Sequence, residues 1–223
     1  MDTLTFVVSD LHVGSRYFYW EHFLGWLDAL PPGAGLILNG DIIDEPRKSL
    51  TPQHQVVLQR LVEESCRRPV IWILGNHDKE LVLEQTGQIQ FVPRWELDRR
   101  LLVAHGDGFD ELMPRHPLFK AVVRLAHRLR IWLGAPDVHV ACYAKKWGFF
   151  YRALNEQVAG KALRLASAGG FQAVTCGHTH AAMALEQDGV QYFNTGAWTE
   201  EPHYFLEVNG TVLCLRQYGE EGA

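Results

Sequence analysis

The 223-residue sequence lacks several features that mark specialised classes of protein. It has four cysteines and no Cys-x-x-Cys pair, so we expect buried free thiols in a reducing compartment rather than a disulfide framework. No apolar run approaches ~20 residues, which argues against a transmembrane helix. The first residues carry neither the basic region nor the cleavage site of a signal peptide. Together these absences favour a cytoplasmic protein.

An excess of positive charge is also missing. The net charge of −5 argues against general nucleic-acid binding. The charge is unevenly distributed, however, because residues 115–164 hold ten basic and two acidic residues, a net +8, which leaves −13 for the remainder. A basic segment in an acidic body indicates an anionic partner for that segment, and a solvated helix face is the alternative.

The apolar pattern predicts one domain over residues 1–223 with an α/β fold. Buried strands are expected at 4–9, 36–38, 70–74, 101–104 and 173–176, with helices at 19–30 and 52–65. Asp188-Gly189 and Asn209-Gly210 indicate two hairpins near the end, which we interpret as a β meander. Two packed mixed β-sheets flanked by helices would bury both sets of strands.

Five short polar clusters follow apolar runs, at what we predict to be strand ends. They supply carboxylates, imidazoles and one amide, which is the ligand set of two neighbouring divalent metal ions. The alternative is a set of unrelated polar turns. This alternative is weak because all five clusters occur in one chain, each at a predicted strand end. The clusters are Asp10-Leu11-His12, Gly40-Asp41, Gly75-Asn76-His77-Asp78, His105-Gly106-Asp107 and Gly177-His178-Thr179-His180.

The order of these clusters and the residue types in them resemble the motifs of the calcineurin-like metallophosphoesterases, and the resemblance covers nearly the whole chain. The resemblance implies a β-sandwich with flanking helices, metals at the strand ends, and hydrolysis of a phosphoester or pyrophosphate bond. It implies that the first metal is bound by Asp10, His12, Asp41 and His180. It implies that the second is bound by Asp41, Asn76, His105 and His178. Manganese is the expected ion, and the nitrogen and oxygen ligands also allow iron, zinc or cobalt.

His77 has a different expected role at the rim of the site. It would donate to a phosphoryl oxygen or protonate the leaving oxygen. Asp78 or Asp44 could orient it, and the sequence leaves both open. Asp107 is expected to support His105 or its loop. The stretch 194–198 resembles the family's segment after the last histidines, and it either packs against the site loops or forms a plain turn.

Residues 115–168 interrupt the strand pattern and are predicted to be a helical insertion, with two or more amphipathic helices separated by 134–137. One helix face is apolar, and an aromatic and basic edge follows it. The candidate substrate contacts are Arg124, Arg128, Lys145, Lys146, Trp147, Phe149 and Arg152. Because the insertion lies between two metal-binding clusters in the chain, we expect it to emerge close to the site.

The insertion looks most like that of the UDP-2,3-diacylglucosamine pyrophosphohydrolases. This resemblance implies a phosphorylated lipid substrate and peripheral contact with an anionic membrane. Three departures separate the chain from those enzymes: His77 and Ala181 where they carry arginine, and no polar sugar-binding stretch in 155–169. A phosphodiesterase or phosphomonoesterase for a soluble nucleotide or other small phosphoester is therefore the alternative. A catalytically silent scaffold is a third hypothesis, which the complete ligand set disfavours.

Overall fold

The computed structural model describes residues 4–112, 117–135, 137, 145 and 148–220. The helices are α1 (Trp20–Ala29), α2 (Pro52–Ser65), α3 (Pro117–Trp132) and α4 (Gly148–Ala168). The strands are β1 (Thr5–Val8), β2 (Gly35–Asn39), β3 (Val70–Ile73), β4 (Gln90–Val92), β5 (Trp95–Leu97), β6 (Leu101–Val103), β7 (Ala173–Cys176), β8 (Met183–Gln187), β9 (Val190–Asn194), β10 (Tyr204–Asn209) and β11 (Val212–Gln217). Short 3₁₀ turns lie at Asp78–Glu80 and Asp107–Phe109.

The strands form two mixed sheets. The first has the order β11-β10-β1-β2-β3-β4, and β1 to β4 run parallel to one another. The second has the order β5-β6-β7-β9-β8, with β6, β7 and β9 parallel. The predicted α/β architecture of two packed mixed sheets flanked by helices is confirmed.

Alternating side chains of the parallel strands face different layers. In β1, Phe6 and Val8 pack with α1 and α2, whereas Val7 packs between the two sheets. On the outer side of the second sheet, Ala162 and Leu163 of α4 pack with strand residues. The order of layers is therefore α1 and α2, first sheet, second sheet, α4.

Local sequence explains why the predicted helix α2 begins where it does. The Thr51 side chain accepts a hydrogen bond from the His54 main-chain N–H, and Pro52 occupies the first helical position. His54 itself is buried, and its Nδ1 accepts from the Gly14 N–H at 3.1 Å. Burial lowers the pKa of His54, so the ring is neutral and can accept that bond. The start of α2 thereby fixes the loop that follows His12.

Three sequence expectations differ from the structure. The predicted meander is wrong, because the β8–β9 hairpin belongs to the second sheet and the β10–β11 hairpin to the first. The short strands β4 and β5 were not predicted, since three residues on either side of Pro93 carry too little periodicity. Cys66 is exposed rather than buried, although Cys176 is buried.

The two described helices of the predicted insertion have different surroundings. Helix α4 buries Leu154, Val158 and Leu163, so it is part of the packed fold. Helix α3 leaves Leu125 and Trp132 exposed to solvent. No helix among the described residues is long and apolar enough to cross a membrane. The domain boundaries, 1–223 with an insertion at 115–168, stay a prediction.

Candidate metal centre

The five polar clusters meet at one end of the two sheets, where β1, β2, β3, β6 and β7 end. Eight non-glycine residues of the described chain have a positive φ, and five of them lie in these clusters. Such left-handed backbone is costly outside glycine and concentrates at functional sites. The five are Asp10 (53°), His12 (51°), Asp41 (52°), His178 (64°) and His180 (57°).

A first group of donor atoms comes from Asp10, His12 and His180, all buried. His12 Nε2 lies 3.1 Å from His180 Nε2, which lies 3.2 Å from Asp10 Oδ1. Burial raises the pKa of Asp10, but His180 outweighs this and the net pKa is lowered. The group therefore presents an ionised carboxylate and two imidazole nitrogens to one point.

A second group comes from Asp41, His105 and His178. His105 Nδ1 donates to the Asn39 main-chain carbonyl at 2.9 Å, which turns Nε2 toward Asp41 Oδ2 at 3.2 Å. Burial works to lower the pKa of His105, but the Asp41 carboxylate outweighs it and the net pKa rises to about 10. The buried Nε2 makes no well-oriented hydrogen bond within the described part of the chain. A nitrogen and a carboxylate held in this way fit a borderline divalent cation.

Two further carboxylates orient the imidazoles. Asp44 Oδ1 lies 3.2 Å from His12 Nδ1, and Asp110 Oδ2 lies 3.0 Å from His178 Nε2. Carboxylates commonly fix the ring and tautomer of metal-binding histidines in this way. The sequence analysis missed Asp110, because only the 3₁₀ turn at Asp107–Phe109 brings it back to the site. Asp107 instead pairs with Lys79 at 3.0 Å.

His77 stands at the rim, with a side chain 38% exposed. Its Nδ1 donates to the Asp44 main-chain carbonyl at 2.7 Å, so that carbonyl, rather than either carboxylate, holds the ring. The Nε2 atom faces Asp41 Oδ2 at 4.0 Å. Asn76, the preceding residue, is exposed in the same turn. A main-chain carbonyl has no residue-specific signature, so the sequence indicates only side-chain partners for His77.

Asp78 is buried and serves the backbone around the site. Its carboxylate accepts hydrogen bonds from the main-chain N–H groups of Ile42, Ile43 and Gly75 and from Trp72 Nε1, at 3.0–3.3 Å. The main-chain donors belong to the loops after β2 and β3, which carry Asp41 and His77, and Trp72 belongs to β3 itself. Asp78 therefore holds two site loops together and does not contact the His77 ring by any bond that the structure describes.

Glycines make room for the two central carboxylates. A Cβ atom at Gly75 would overlap the Asp41 carboxylate, and one at Gly177 would overlap that of Asp10. The segment after β9 also supports the site, since Asn194 Nδ2 donates to the Gly177 carbonyl at 2.8 Å and the Trp198 N–H to that of Asp10 at 3.1 Å. Of the two expectations for 194–198, packing against the site loops is confirmed.

The candidate substrate contacts are distributed around the insertion. Lys145 Nζ donates to the His180 carbonyl at 2.6 Å and also pairs with Glu200. Arg128, Phe149 and Arg152 are exposed. Lys146, Trp147 and the side chain of Arg124 lie outside the described residues. Tyr151 was not predicted as a site residue, yet its hydroxyl donates to the Thr179 carbonyl at 2.6 Å and ties α4 to the last metal-binding loop.

The chain is similar to a known protein family and to several solved structures. The family model for calcineurin-like phosphoesterases matches residues 4–182. No curated protein sequence shows a significant match. Among solved structures, the phosphoesterase YfcE from E. coli is 18% identical with a TM-score of 0.49, covering 99% of this chain and 96% of that chain. The phosphopantetheinyl hydrolase PptH from Mycobacterium tuberculosis is 15% identical with a TM-score of 0.48, covering 99% and 97%.

GAP50, described as the anchor in the inner membrane complex of Plasmodium, is 8% identical with a TM-score of 0.50, covering 100% of this chain and 86% of that chain. At such identities a structural likeness concerns the fold alone. The family match spans most of the chain and includes the five polar clusters. The chain therefore belongs to the calcineurin-like phosphoesterase family, whose members depend on metal ions, and is a hydrolase acting on phosphoester bonds.

Proposed function

We propose that the chain hydrolyses a phosphoester or pyrophosphate bond with two divalent metal ions, manganese being the expected ion. Asp10, His12, Asp41 and His180 would hold the first ion. Asp41, Asn76, His105 and His178 would hold the second. The observation that carries this proposal is the convergence of two donor groups, which hold the buried Asp10 and Asp41.

When bound, two such ions would supply Lewis acidity and an ionised water near neutral pH. The chain's own residues would bind and orient the substrate and move protons. His77 donates its Nδ1 proton to the Asp44 carbonyl, so Nε2 is the atom available for proton transfer. Its partial exposure lets Nε2 meet the leaving oxygen of a substrate that enters from solvent. His12 and His178 would be kept in orientation by Asp44 and Asp110.

A turnover panel tests this function. Metal-stripped protein reloaded with manganese would be assayed on UDP-2,3-diacylglucosamine, UDP-sugars, a bis-aryl phosphodiester and an aryl phosphomonoester. We expect turnover of at least one substrate, abolished by Asp41→Asn and strongly reduced by His77→Ala. If the wild-type protein turned over none of these substrates with any divalent metal ion, the proposal would be contradicted and the scaffold hypothesis favoured.

A phosphorylated lipid is the more specific substrate that we propose, on the basis of the solvent-facing side of α3. Exposed apolar residues recur along this helix with helical spacing, and Trp132 is 81% exposed. The helix has four basic residues and no acidic one, and Arg128 is exposed beside the apolar side chains. Apolar surface suits acyl chains, and arginine suits phosphate groups. The exposed apolar side chains are Val122, Leu125, Leu129 and Trp132, with Leu133 directly after the end of the helix.

The same surface supports a proposed peripheral contact with an anionic membrane. Sedimentation with vesicles containing anionic lipid would compare wild type with the triple variant Leu125→Ser, Leu129→Ser and Trp132→Ser. Val82→Ser is the matched control, because Val82 is 87% exposed outside this helix. We expect the triple variant alone to lose vesicle binding and turnover of the acylated substrate. Unchanged binding, with turnover of small esters only, would favour the soluble phosphoester alternative.

A further inference from the structure

A further cluster of metal-binding side chains lies outside the candidate metal centre. His22 stands in the first turn of α1, and Glu201 and His203 lie in the segment between β9 and β10. His22 Nδ1 is 3.1 Å from His203 Nε2 and 3.8 Å from Glu201 Oε1. We propose that these three residues bind a single transition-metal ion such as Zn²⁺, in addition to the ions of the phosphoesterase centre.

The spacing of the donor atoms suits this ion. Zinc bonds to nitrogen and oxygen of about 2.0–2.2 Å in a tetrahedron place neighbouring ligand atoms about 3.4 Å apart. The two separations of 3.1 and 3.8 Å lie on either side of that value. Two imidazoles and one carboxylate leave a fourth position for water or another ligand. Small side-chain rotations would bring the three atoms onto one ion.

His203 is held in place before any ion arrives. It is buried, and its ring stacks on that of Trp198 with centroids 4.8 Å apart and an interplanar angle of 5°. One ligand is therefore fixed by packing.

The other two ligands are open to solvent and border a cleft of about 570 Å³. The His22 side chain is 43% exposed and that of Glu201 is 60% exposed, so an ion can reach both. Four carboxylates and one guanidinium line the cleft. Two of the carboxylates face basic side chains, Asp137 with Arg16 and Glu200 with Lys145, and the other two leave an excess of negative charge that raises the local concentration of cations. The charged groups that line the cleft are Glu21, Asp137, Glu200, Glu201 and Arg16.

The experiment measures zinc per chain after equilibrium dialysis of the full-length protein, with His22→Ala, Glu201→Gln and the exposed control Glu186→Gln. We expect the wild type and the control to bind one zinc ion more per chain than His22→Ala. We expect Glu201→Gln to lower the affinity for that ion at least tenfold. Glu201→Gln keeps the shape of an exposed side chain, so it tests the site even where His22→Ala perturbs α1.

A fifth protein, Asp41→Asn, separates this site from the proposed phosphoesterase centre. We expect it to lose ions from that centre and to retain the ion bound by His22, Glu201 and His203. The same zinc content and affinity in wild type, His22→Ala and Glu201→Gln would overturn the inference, whatever the turnover panel shows.

Discussion

At the scale of single residues, aspartates close to one another serve different purposes because their surroundings differ. Burial raises the pKa of both Asp41 and Asp78, but His105 and other imidazoles outweigh this at Asp41 and lower its pKa. At Asp78 the burial effect prevails, although the Ile43 N–H opposes it. Asp41 thus faces the cationic centre as a carboxylate, whereas Asp78 faces N–H groups of the surrounding loops.

Replacing Asp78 should therefore act mainly by lowering the free energy of unfolding. Asp78→Ala leaves buried N–H donors without an acceptor, and each such group costs about 1–3 kcal/mol. We expect the free energy of unfolding to fall by about 3 kcal/mol in urea titrations. His77→Ala, at the partly exposed rim, should change it by less than about 1 kcal/mol while reducing turnover. Equal losses of stability in the two variants would contradict these separate roles.

The raised pKa of His105 predicts a pH dependence of the metal-free protein. A folded pKa of about 10 against an ordinary 6.5 means that protonated His105 contributes stability below pH 6.5. That contribution is lost as the pH rises from 6.5 through 10. We expect the urea midpoint of metal-free protein to fall over this range.

His105→Gln is the control for this pH dependence, because its side chain does not titrate. We expect a flatter pH profile for the variant. Metal binding should also release protons at pH 8, since a coordinating imidazole must be neutral. Calorimetry in two buffers of different ionisation enthalpy measures that release. The same pH profile in wild type and His105→Gln would contradict the assignment of the raised pKa.

At the scale of structural elements, the ends of parallel strands build the site. Each delivers its polar residue from a turn in which the chain bends sharply, and five of these residues adopt left-handed backbone. Glycine is required where such a turn lies against a carboxylate, at Gly75 and Gly177. The geometry of the centre therefore depends on the absence of side chains as much as on their presence.

Gly177→Ala tests this dependence. The added Cβ would collide with the Asp10 carboxylate and with Ser9, both fixed in the core. We expect metal affinity, measured by calorimetry, to fall at least tenfold because Asp10 is displaced. Gly108→Ala is the matched control, since its Cβ would meet nothing within 4 Å. Equal metal affinities in the two variants would show that Asp10 tolerates displacement.

At the scale of the whole molecule, the helices of the predicted insertion belong to different parts of the protein. Helix α4 covers the outer face of the second sheet, and Tyr151 and Lys145 connect its neighbourhood to the loop of His178 and His180. Helix α3 presents apolar side chains to solvent. Helix α4 is therefore part of the packed fold, whereas one side of α3 is exposed to solvent.

Two leucines of the insertion distinguish these parts. Leu163 in α4 is 5% exposed, and Leu163→Ala should cost about 2–5 kcal/mol of stability because it leaves a cavity. Leu125 in α3 is 62% exposed, and Leu125→Ala should change stability by less than about 0.5 kcal/mol. Chemical denaturation of both variants measures the difference. Comparable losses would indicate that α3 is also packed in solution.

The sequence predicted those strands and helices whose patterns lie within a few neighbouring residues. Apolar runs fixed β1, β2, β3, β6 and β7, and capping residues fixed α2, because these signals lie within a few residues. The edge strands β4 and β5 were too short to give such a signal. The assignment of the two terminal hairpins to different sheets was inaccessible as well, since pairing between distant strands leaves no local pattern.

The sequence by itself determined which side chains stand at the strand ends, because strand periodicity and the order of the polar clusters are local properties of the chain. Only the tertiary structure decided which partners hold them, Asp110 beside His178 and the Asp44 carbonyl beneath His77, and it alone brought His22 beside His203. The members of these pairs are 68, 33 and 181 positions apart. Such contacts arise when separate layers pack together, and no local propensity encodes them.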